Sequence, residues 1–137
     1  MQTFLPLEDI EESIKCLDLK RLGKQRLEAR SILDILQGKF KSEQYKDHPA
    51  VLMWEGYEDA LKLYYNFSLL EWIGRGYMNT LPIEKIKSVE LPKFIGNEEF
   101  HASHRSNLLR KNPDWYKQFG WIEPDNLPYY WPKRKEQ

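Results

Sequence analysis

A cluster of basic and amide side chains around a single carboxylate occupies residues 21–30, with the sequence RLGKQRLEAR. Guanidinium and ammonium groups bind phosphate, and an amide can hydrogen-bond to a base or a sugar. Glu28 is the one carboxylate in this cluster, so it is either an ordinary ion-pair partner one helical turn from Lys24 or a positioned catalytic base. The candidate phosphate contacts in this segment are Arg21, Lys24, Arg26 and Arg30, and Gln25 supplies the amide.

A second cluster of polar residues lies at 101–111, with the sequence HASHRSNLLRK. His101 and His104 are three residues apart and project from one face of a helix, beside Arg105. They can contact nucleic acid, cap or decorate a helix surface, or hold a metal together with His48 or a carboxylate. Two histidines without a defined third ligand are weak evidence for a metal, so we predict no metal site. We take His101, His104 and Arg105 as candidate nucleic-acid contacts.

Four aromatic side chains and one lysine crowd into residues 112–121, with the sequence NPDWYKQFGW. Aromatic rings next to a cation are typical of a platform on which bases stack while a phosphate is held nearby. The alternative is that these rings belong to the hydrophobic core, and we expect this for at least two of the four. Trp115, Tyr116 and Lys117 are the candidate contacts.

The hydrophobic pattern predicts helices that would position these clusters. Apolar residues recur every three or four positions in residues 19–36, with Asp18 available as a cap and Gly38 after the end. Similar reasoning, with proline and asparagine as start and stop signals, predicts helices at 7–16, at 49–75 and at 97–111, where Asn112-Pro113 follows the last. At most a short helical piece is expected at 84–88, and a loop at 39–48.

The remaining segment, from Pro124 onward, carries three prolines and is expected to be extended, with its aromatic rings packed on the body of the protein. We find no convincing strand. The sequence therefore predicts an all-α fold, a compact single domain over residues 1–137 with two to three long helices and an irregular aromatic C-terminal segment.

Composition limits the function classes further. The chain has 137 residues and equal numbers of basic and acidic side chains, 21 of each, so only a local basic face could attract a polyanion. Such a face is indicated by the excess of lysine and arginine between Lys20 and Lys46. A single cysteine, Cys16, an acidic N-terminal region and the lack of a long apolar run predict a cytoplasmic protein without disulfides or membrane spans.

The segment NPDWYKQFGW resembles the tryptophan-tyrosine-lysine signature near the C-terminus of the phage pyrimidine-dimer DNA glycosylases often called endonuclease V. The segments TFLP, LGKQR, HPAVLMWEGY, SHRSNLL and PYYWP look like a cellular branch of that family, and the similarity extends over nearly the whole chain. This resemblance implies a DNA-repair enzyme that cuts the glycosidic bond of a damaged pyrimidine and then the abasic strand, without a cofactor.

The family resemblance also implies an N-terminal amine as nucleophile, with a carboxylate and arginines beside it. Gln2 is bulky, so we expect Met1 to be retained as the terminus, and Arg26 coincides with an arginine of the family. The family's glutamate position falls on Gly23, and Glu28 is the nearest carboxylate, so the expected catalytic residues are Met1, Glu28 and Arg26. An α-amino group has an ordinary pKa of about 8, so part of it is neutral and able to form a Schiff base near neutral pH. The expected partner is double-stranded damaged DNA, bound by a monomer near the nucleoid. A non-catalytic nucleic-acid-binding module and a metal-dependent hydrolase that uses His101 and His104 remain as alternatives.

Overall fold

The computed structural model describes residues 1–39 and 45–135. This part of the chain forms six α-helices and one short 3₁₀ helix, and it contains no strand, so the predicted all-α fold is confirmed. The α-helices are α1 (Ile10–Cys16), α2 (Leu19–Leu36), α3 (Pro49–Leu52), α4 (Glu58–Gly74), α5 (Glu98–Lys111) and α6 (Pro113–Tyr116), and the 3₁₀ helix is Lys117–Phe119. No helix among the described residues is long and apolar enough to cross a membrane.

Two long helices form the centre of the molecule. α2 packs along α4, and α1 also packs on α4. The apolar spacing that predicted α2 places Leu22, Ala29 and Leu33 in the interior, where each is fully buried. Trp72 of α4 lies so close to Gly23 that a Cβ on this residue would be 3.1 Å from Cζ3 of the indole ring. The glycine in the middle of α2 therefore allows α4 to approach.

α5 is the third long helix, and it agrees with the prediction for residues 97–111. The side chain of Asn97 accepts a hydrogen bond from the main-chain nitrogen of Phe100 at 3.0 Å and caps the first turn. Acidic residues occupy that turn and basic residues the last one, as the helix dipole favours. The helix ends before Pro113, which disfavours helical geometry at Asn112.

The single long helix predicted for residues 49–75 is wrong, because the structure divides this segment into α3 and α4. Gly56 lies between the two helices and has a φ of 86°, a left-handed conformation that glycine adopts readily and that interrupts the helical path. His48 caps α3, since its Nδ1 accepts a hydrogen bond from the main-chain nitrogen of Ala50 at 3.0 Å. His48 is thus a capping residue at the start of α3.

Residues 84–88 form no helix. The amide side chain of Asn66, on α4, exchanges two hydrogen bonds of 2.9 Å with the main chain of Glu84, and the hydroxyl of Tyr65 donates to the carbonyl of Pro82 at 2.7 Å. Side chains of α4 therefore bind the main-chain groups that a helix would use. Residues 40–44 of the predicted 39–48 loop lie outside the described residues, whereas the aromatic tail through residue 135 has no regular secondary structure, as expected.

The first seven residues belong to no helix, yet residues 2–6 are buried. Their hydrogen-bond partners lie on α2 and α4 on one side and on α5 on the other. The N-terminal segment, residues 1–7, therefore bridges α5 to the pair formed by α2 and α4. This arrangement brings the chain terminus to one end of the hydrophobic core, where Met1 packs against the core residues.

Candidate active site

The main chain of Leu5 is held by two histidines of α5. The Leu5 nitrogen donates a hydrogen bond to Nδ1 of His104 at 2.8 Å, and the Leu5 carbonyl oxygen lies 2.8 Å from Nδ1 of His101. His104 is fully buried and His101 is nearly so. Because the spacing of three places both rings on one face of α5, they meet opposite ends of a single residue.

The neighbouring residue, Phe4, is held from the other side. Its main-chain nitrogen donates to Oε1 of Gln25 at 2.8 Å, and its carbonyl accepts from the hydroxyl of Tyr64 at 3.0 Å. The same hydroxyl lies 2.6 Å from Oε1 of Gln25. Gln25 lies on α2 one turn before Glu28, so the N-terminal segment is attached to the helix that carries this carboxylate.

A cleft of about 320 Å³ opens at the end of the N-terminal segment. Residues of α2 at spacings of three and four line it, together with residues of the N-terminal segment. The end of α5 and the aromatic tail supply the remaining lining residues. Its lining residues are Met1, Gln2, Phe4, Lys20, Arg21, Lys24, Gln25, Glu28, Lys111 and Tyr129.

The cleft is strongly basic. Among the described residues that line it, four are cations and one, Glu28, is a carboxylate. Loss of solvation lowers the pKa of the Lys111 ammonium, and the charges of Arg21, Arg110, Lys24 and Lys20 lower it further. Burial raises the pKa of the Tyr129 hydroxyl, while Arg110 and Arg21 act in the opposite direction. These effects indicate a concentration of positive charge that suits a polyanion.

The structure thus brings together Met1, Glu28, Arg21, Lys24 and Gln25 from the set predicted by sequence. The amide oxygen of Gln25 is used by the N-terminal segment, so this residue supports the cleft as well as lining it. Lys111 and Tyr129 were not among the candidate site residues predicted from the sequence. The signals for them were modest, namely the basic end of the 101–111 segment and the aromatic PYYWP run.

Arg26 lies outside this cleft. Its guanidinium carbon is 4.2 Å from the centre of the Trp72 ring, and Nη1 donates to Oδ1 of Asn79 at 3.0 Å. Two positions along a helix differ by about 200° of rotation, so Arg26 and Glu28 point to nearly opposite sides of α2. The guanidinium group of Arg26 is therefore used in the contact between α2 and α4 and the turn that follows α4.

His101, His104 and Arg105, expected as nucleic-acid contacts, lie in the interior. Arg105 donates to Glu123 at 2.8 Å and to the carbonyl of Pro6 at 2.8 Å, and it also pairs with Glu98. Its guanidinium group is therefore used within the fold. The described residues contain no group of three histidine, cysteine or carboxylate side chains arranged to hold a metal ion.

The aromatic segment near the C-terminus divides between core and surface. Tyr116 is fully buried, and its hydroxyl donates to Oδ1 of Asp18 at 2.5 Å. The sequence predicted Asp18 as the cap of α2, but its side chain makes no capping hydrogen bond. Its carboxylate is instead bonded to Tyr116 and paired with Arg21 at 3.3 Å. Trp115 is 37% exposed and Phe119 36%, and Lys117 is exposed between them.

Trp115 is also tied to the fold, since its indole nitrogen donates to the carbonyl of Cys16 at 2.7 Å. Phe119 stacks on Trp121 with ring centres 5.2 Å apart. Cys16 itself is buried, and burial raises the pKa of its thiol to about 11, so it is an unreactive core residue.

The model of a protein family described as pyrimidine dimer DNA glycosylase matches residues 1–85, which is more than half of the chain. The matched part contains the N-terminal segment and the α2 side of the cleft, whereas Lys111 and Tyr129 lie beyond it. Comparisons with curated proteins and with solved structures gave no match.

Proposed function

The chain belongs to the pyrimidine dimer DNA glycosylase family, and we propose that it removes a damaged pyrimidine from double-stranded DNA and then cleaves the strand at the abasic site. The observation that carries this proposal is the cleft that contains both the terminal residue Met1 and the carboxylate of Glu28, surrounded by cations. An amine, a proton acceptor and phosphate-binding groups are what such chemistry requires.

The first step is attack of the neutral Met1 amine on C1′ of the damaged nucleotide. The bond from C1′ to the base breaks, and the base leaves with its electron pair and is protonated. The sugar ring then opens, C1′ forms an imine with the amine, and this Schiff base links protein and DNA. Gln2 and Phe4 line the cleft beside Met1 and restrict the space around this linkage.

The second step is elimination of the phosphate on the 3′ side. Glu28 takes a proton from C2′, the electron pair forms a carbon–carbon double bond, and the C3′–O bond breaks with the phosphate as leaving group. Water then hydrolyses the imine and regenerates the amine. A carboxylate beside several cations also balances the charge of the cationic imine while it waits for elimination.

DNA binding is assigned to the basic cleft and to the exposed part of the aromatic segment. Lys20, Arg21, Lys24 and Lys111 contact backbone phosphates on both sides of the damaged nucleotide. Trp115 and Phe119 offer exposed ring surface for an unstacked base, and Lys117 adds a phosphate contact between them. Such a protein acts on DNA as a monomer, in the cytoplasm next to the nucleoid.

Borohydride trapping on an abasic duplex tests the proposal directly. Reduction converts the Schiff base into a stable protein–DNA adduct, and mass spectrometry of the adduct locates the modified nitrogen. We expect modification of the Met1 amine, and we expect a variant with an uncleaved N-terminal extension to bind abasic DNA with nearly unchanged affinity while forming no adduct.

Three results would contradict this assignment. Equal trapping of the extended and native proteins would exclude the Met1 amine as nucleophile. Lys20 or Lys24 would then be the candidate for the Schiff base. Tight binding of damaged DNA without any adduct or strand cleavage would indicate a non-catalytic nucleic-acid-binding module. Loss of activity with a chelator would favour the metal-dependent alternative.

A further inference from the structure

The histidines of α5 and Gln25 of α2 are polar, buried and unused by the chemistry proposed above. Each of them binds the main chain of the N-terminal segment rather than another side chain of its own helix. We propose that Gln25, His101 and His104 are positioning residues for the Met1 amine, which they control by fixing the main chain of Phe4 and Leu5. This inference rests on the proposed function, because it assumes that the amine is the nucleophile.

The two histidines bind Leu5 as neutral rings with opposite tautomers. The main-chain nitrogen of Gly96 donates to Nε2 of His101 at 2.9 Å, so the proton of this ring is on Nδ1 and is donated to the Leu5 carbonyl. His104 accepts from the Leu5 nitrogen through Nδ1, so its proton is on Nε2. One ring therefore binds the acceptor of Leu5 and the other binds its donor.

This arrangement fixes the register of the segment. Pro6 follows Leu5 and has no main-chain N–H, so a shift of one residue towards the terminus would leave His104 without a donor. Pro6 is itself held, because its carbonyl accepts a hydrogen bond from Arg105 at 2.8 Å. The main-chain groups of Phe4, Leu5 and Pro6 are thus all bound by side chains, and Met1 lies three residues before Phe4.

The energetic cost of His104 supports a role beyond filling space. Its Nε2 atom is buried without a hydrogen-bond partner in the described part of the chain. An unpaired buried donor costs about 1–3 kcal/mol, whereas a leucine or phenylalanine would fill a similar volume without that cost. The imidazole therefore contributes the acceptor for the Leu5 nitrogen, which an apolar side chain cannot supply.

Gln25 relates the segment to the catalytic carboxylate. It binds Phe4 and lies on the same helix as Glu28, one turn earlier. The distance between the amine and the carboxylate is consequently set by three residues of main chain and one turn of helix. A displacement of about 1 Å at a reacting group can slow a reaction by about 100-fold, so a looser segment should slow the chemistry.

The test is single-turnover borohydride trapping at saturating protein, compared with the affinity for abasic duplex. We expect His104→Leu to form the adduct about 10- to 100-fold more slowly while binding DNA within about twofold of the native affinity, and Gln25→Met to slow adduct formation by a similar factor. His104→Asn should restore most of the rate, because its amide oxygen can take the place of Nδ1 as acceptor. Tyr65→Phe is the matched control, since it removes a buried hydrogen bond to Pro82 that does not involve the N-terminal segment.

Amide hydrogen exchange of Phe4 and Leu5 gives a second readout that does not depend on activity. These amides should be protected in the native protein and lose protection in His104→Leu, while the amides of α4 remain protected. The inference is overturned if His104→Leu slows trapping no more than Tyr65→Phe does, or if Phe4 and Leu5 stay protected. Absence of an adduct with native protein would instead refute the proposed function, and hydrogen exchange would still decide whether the segment is held as described.

Discussion

Arg26 and Trp72 stack on each other across the contact between α2 and α4, with the guanidinium carbon 4.2 Å from the centre of the indole ring. The indole nitrogen of Trp72 donates to the carbonyl of Met78 at 2.9 Å, and Arg26 donates to Asn79. The pair thus attaches the turn after α4 to α2, on a different side of the helix from Glu28.

This relationship predicts that Arg26 stabilises the fold without taking part in the chemistry. Arg26→Met should lower the free energy of unfolding by about 1–2 kcal/mol, because a partly desolvated cation–π contact and a hydrogen bond are lost. Urea unfolding measures this change. The rate of adduct formation should stay within about twofold of the native rate under folding conditions, and a much larger decrease would return Arg26 to the candidate catalytic residues.

Glu28→Gln should separate binding from strand cleavage. The amide preserves the size of the side chain but cannot accept the C2′ proton, so cleavage of a preformed abasic strand should slow by about 100- to 10,000-fold. Affinity for the same duplex should change little. The measurement is a single-turnover assay on gels, with Glu71→Gln, which lies outside the cleft, as a control.

Lys111→Met should reduce the salt dependence of DNA binding. A lysine that contacts one phosphate contributes about one unit to the slope of log K against log salt concentration. We expect the slope to fall by about one unit in Lys111→Met and to be unchanged in Lys87→Met, which replaces an exposed lysine outside the cleft. Equal slopes for the two variants would remove Lys111 from the DNA-binding surface.

Phe119→Ala should reduce the preference for damaged over intact duplex more than it reduces total affinity. Its ring is partly exposed and supported from behind by Trp121, so it can stack on an unstacked base, whereas phosphate contacts do not distinguish the two duplexes. Competition binding with both duplexes measures the ratio. Trp115→Ala, by contrast, should also destabilise the protein, because the indole is bonded to the carbonyl of Cys16.

The buried histidines predict a loss of stability below neutral pH. Burial and, to a smaller extent, the neighbouring His101 lower the pKa of His104 to about 3, and burial also lowers the pKa of His101. The hydrogen bond to the Leu5 carbonyl raises the pKa of His101, as do the charges of Glu98 and Glu8, whereas Arg105 lowers it. In the unfolded chain both rings take up a proton near a pKa of about 6.5.

The stabilising contribution of neutral His104 is therefore complete above about pH 6.5 and is lost as the pH falls towards its folded pKa. The loss should amount to about 2 kcal/mol between about pH 7 and about pH 5. Urea unfolding at several pH values measures it, and His104→Asn should show a correspondingly weaker dependence. The same pH dependence in both proteins would show that the buried ring takes up its proton without a cost to folding.

Some of the helices of this protein can be predicted from local sequence. The apolar spacing of α2, the asparagine cap of α5 and the proline after it act within a few residues, so the bounds of these helices were predictable. The division of residues 49–75 into two helices was harder to predict. A glycine is tolerated in a helix, and the sequence pattern alone does not reveal the positive φ of Gly56. The basic surface of α2 was likewise visible before the fold, whereas Met1 and Glu28 were paired only through the family resemblance.

The tertiary structure decided which polar residues serve the site and which serve the fold. The sequence predicts that a helix with His101, His104 and Arg105 exposes them on a polar surface, yet these side chains are buried. The physical reason is the N-terminal segment, which runs through the interior without a helix or strand of its own, so that its main-chain N–H and C=O groups need side-chain partners. Only the folded chain shows where that segment lies, and the same folding brings Lys111 and Tyr129 to the cleft from parts of the sequence far from Met1.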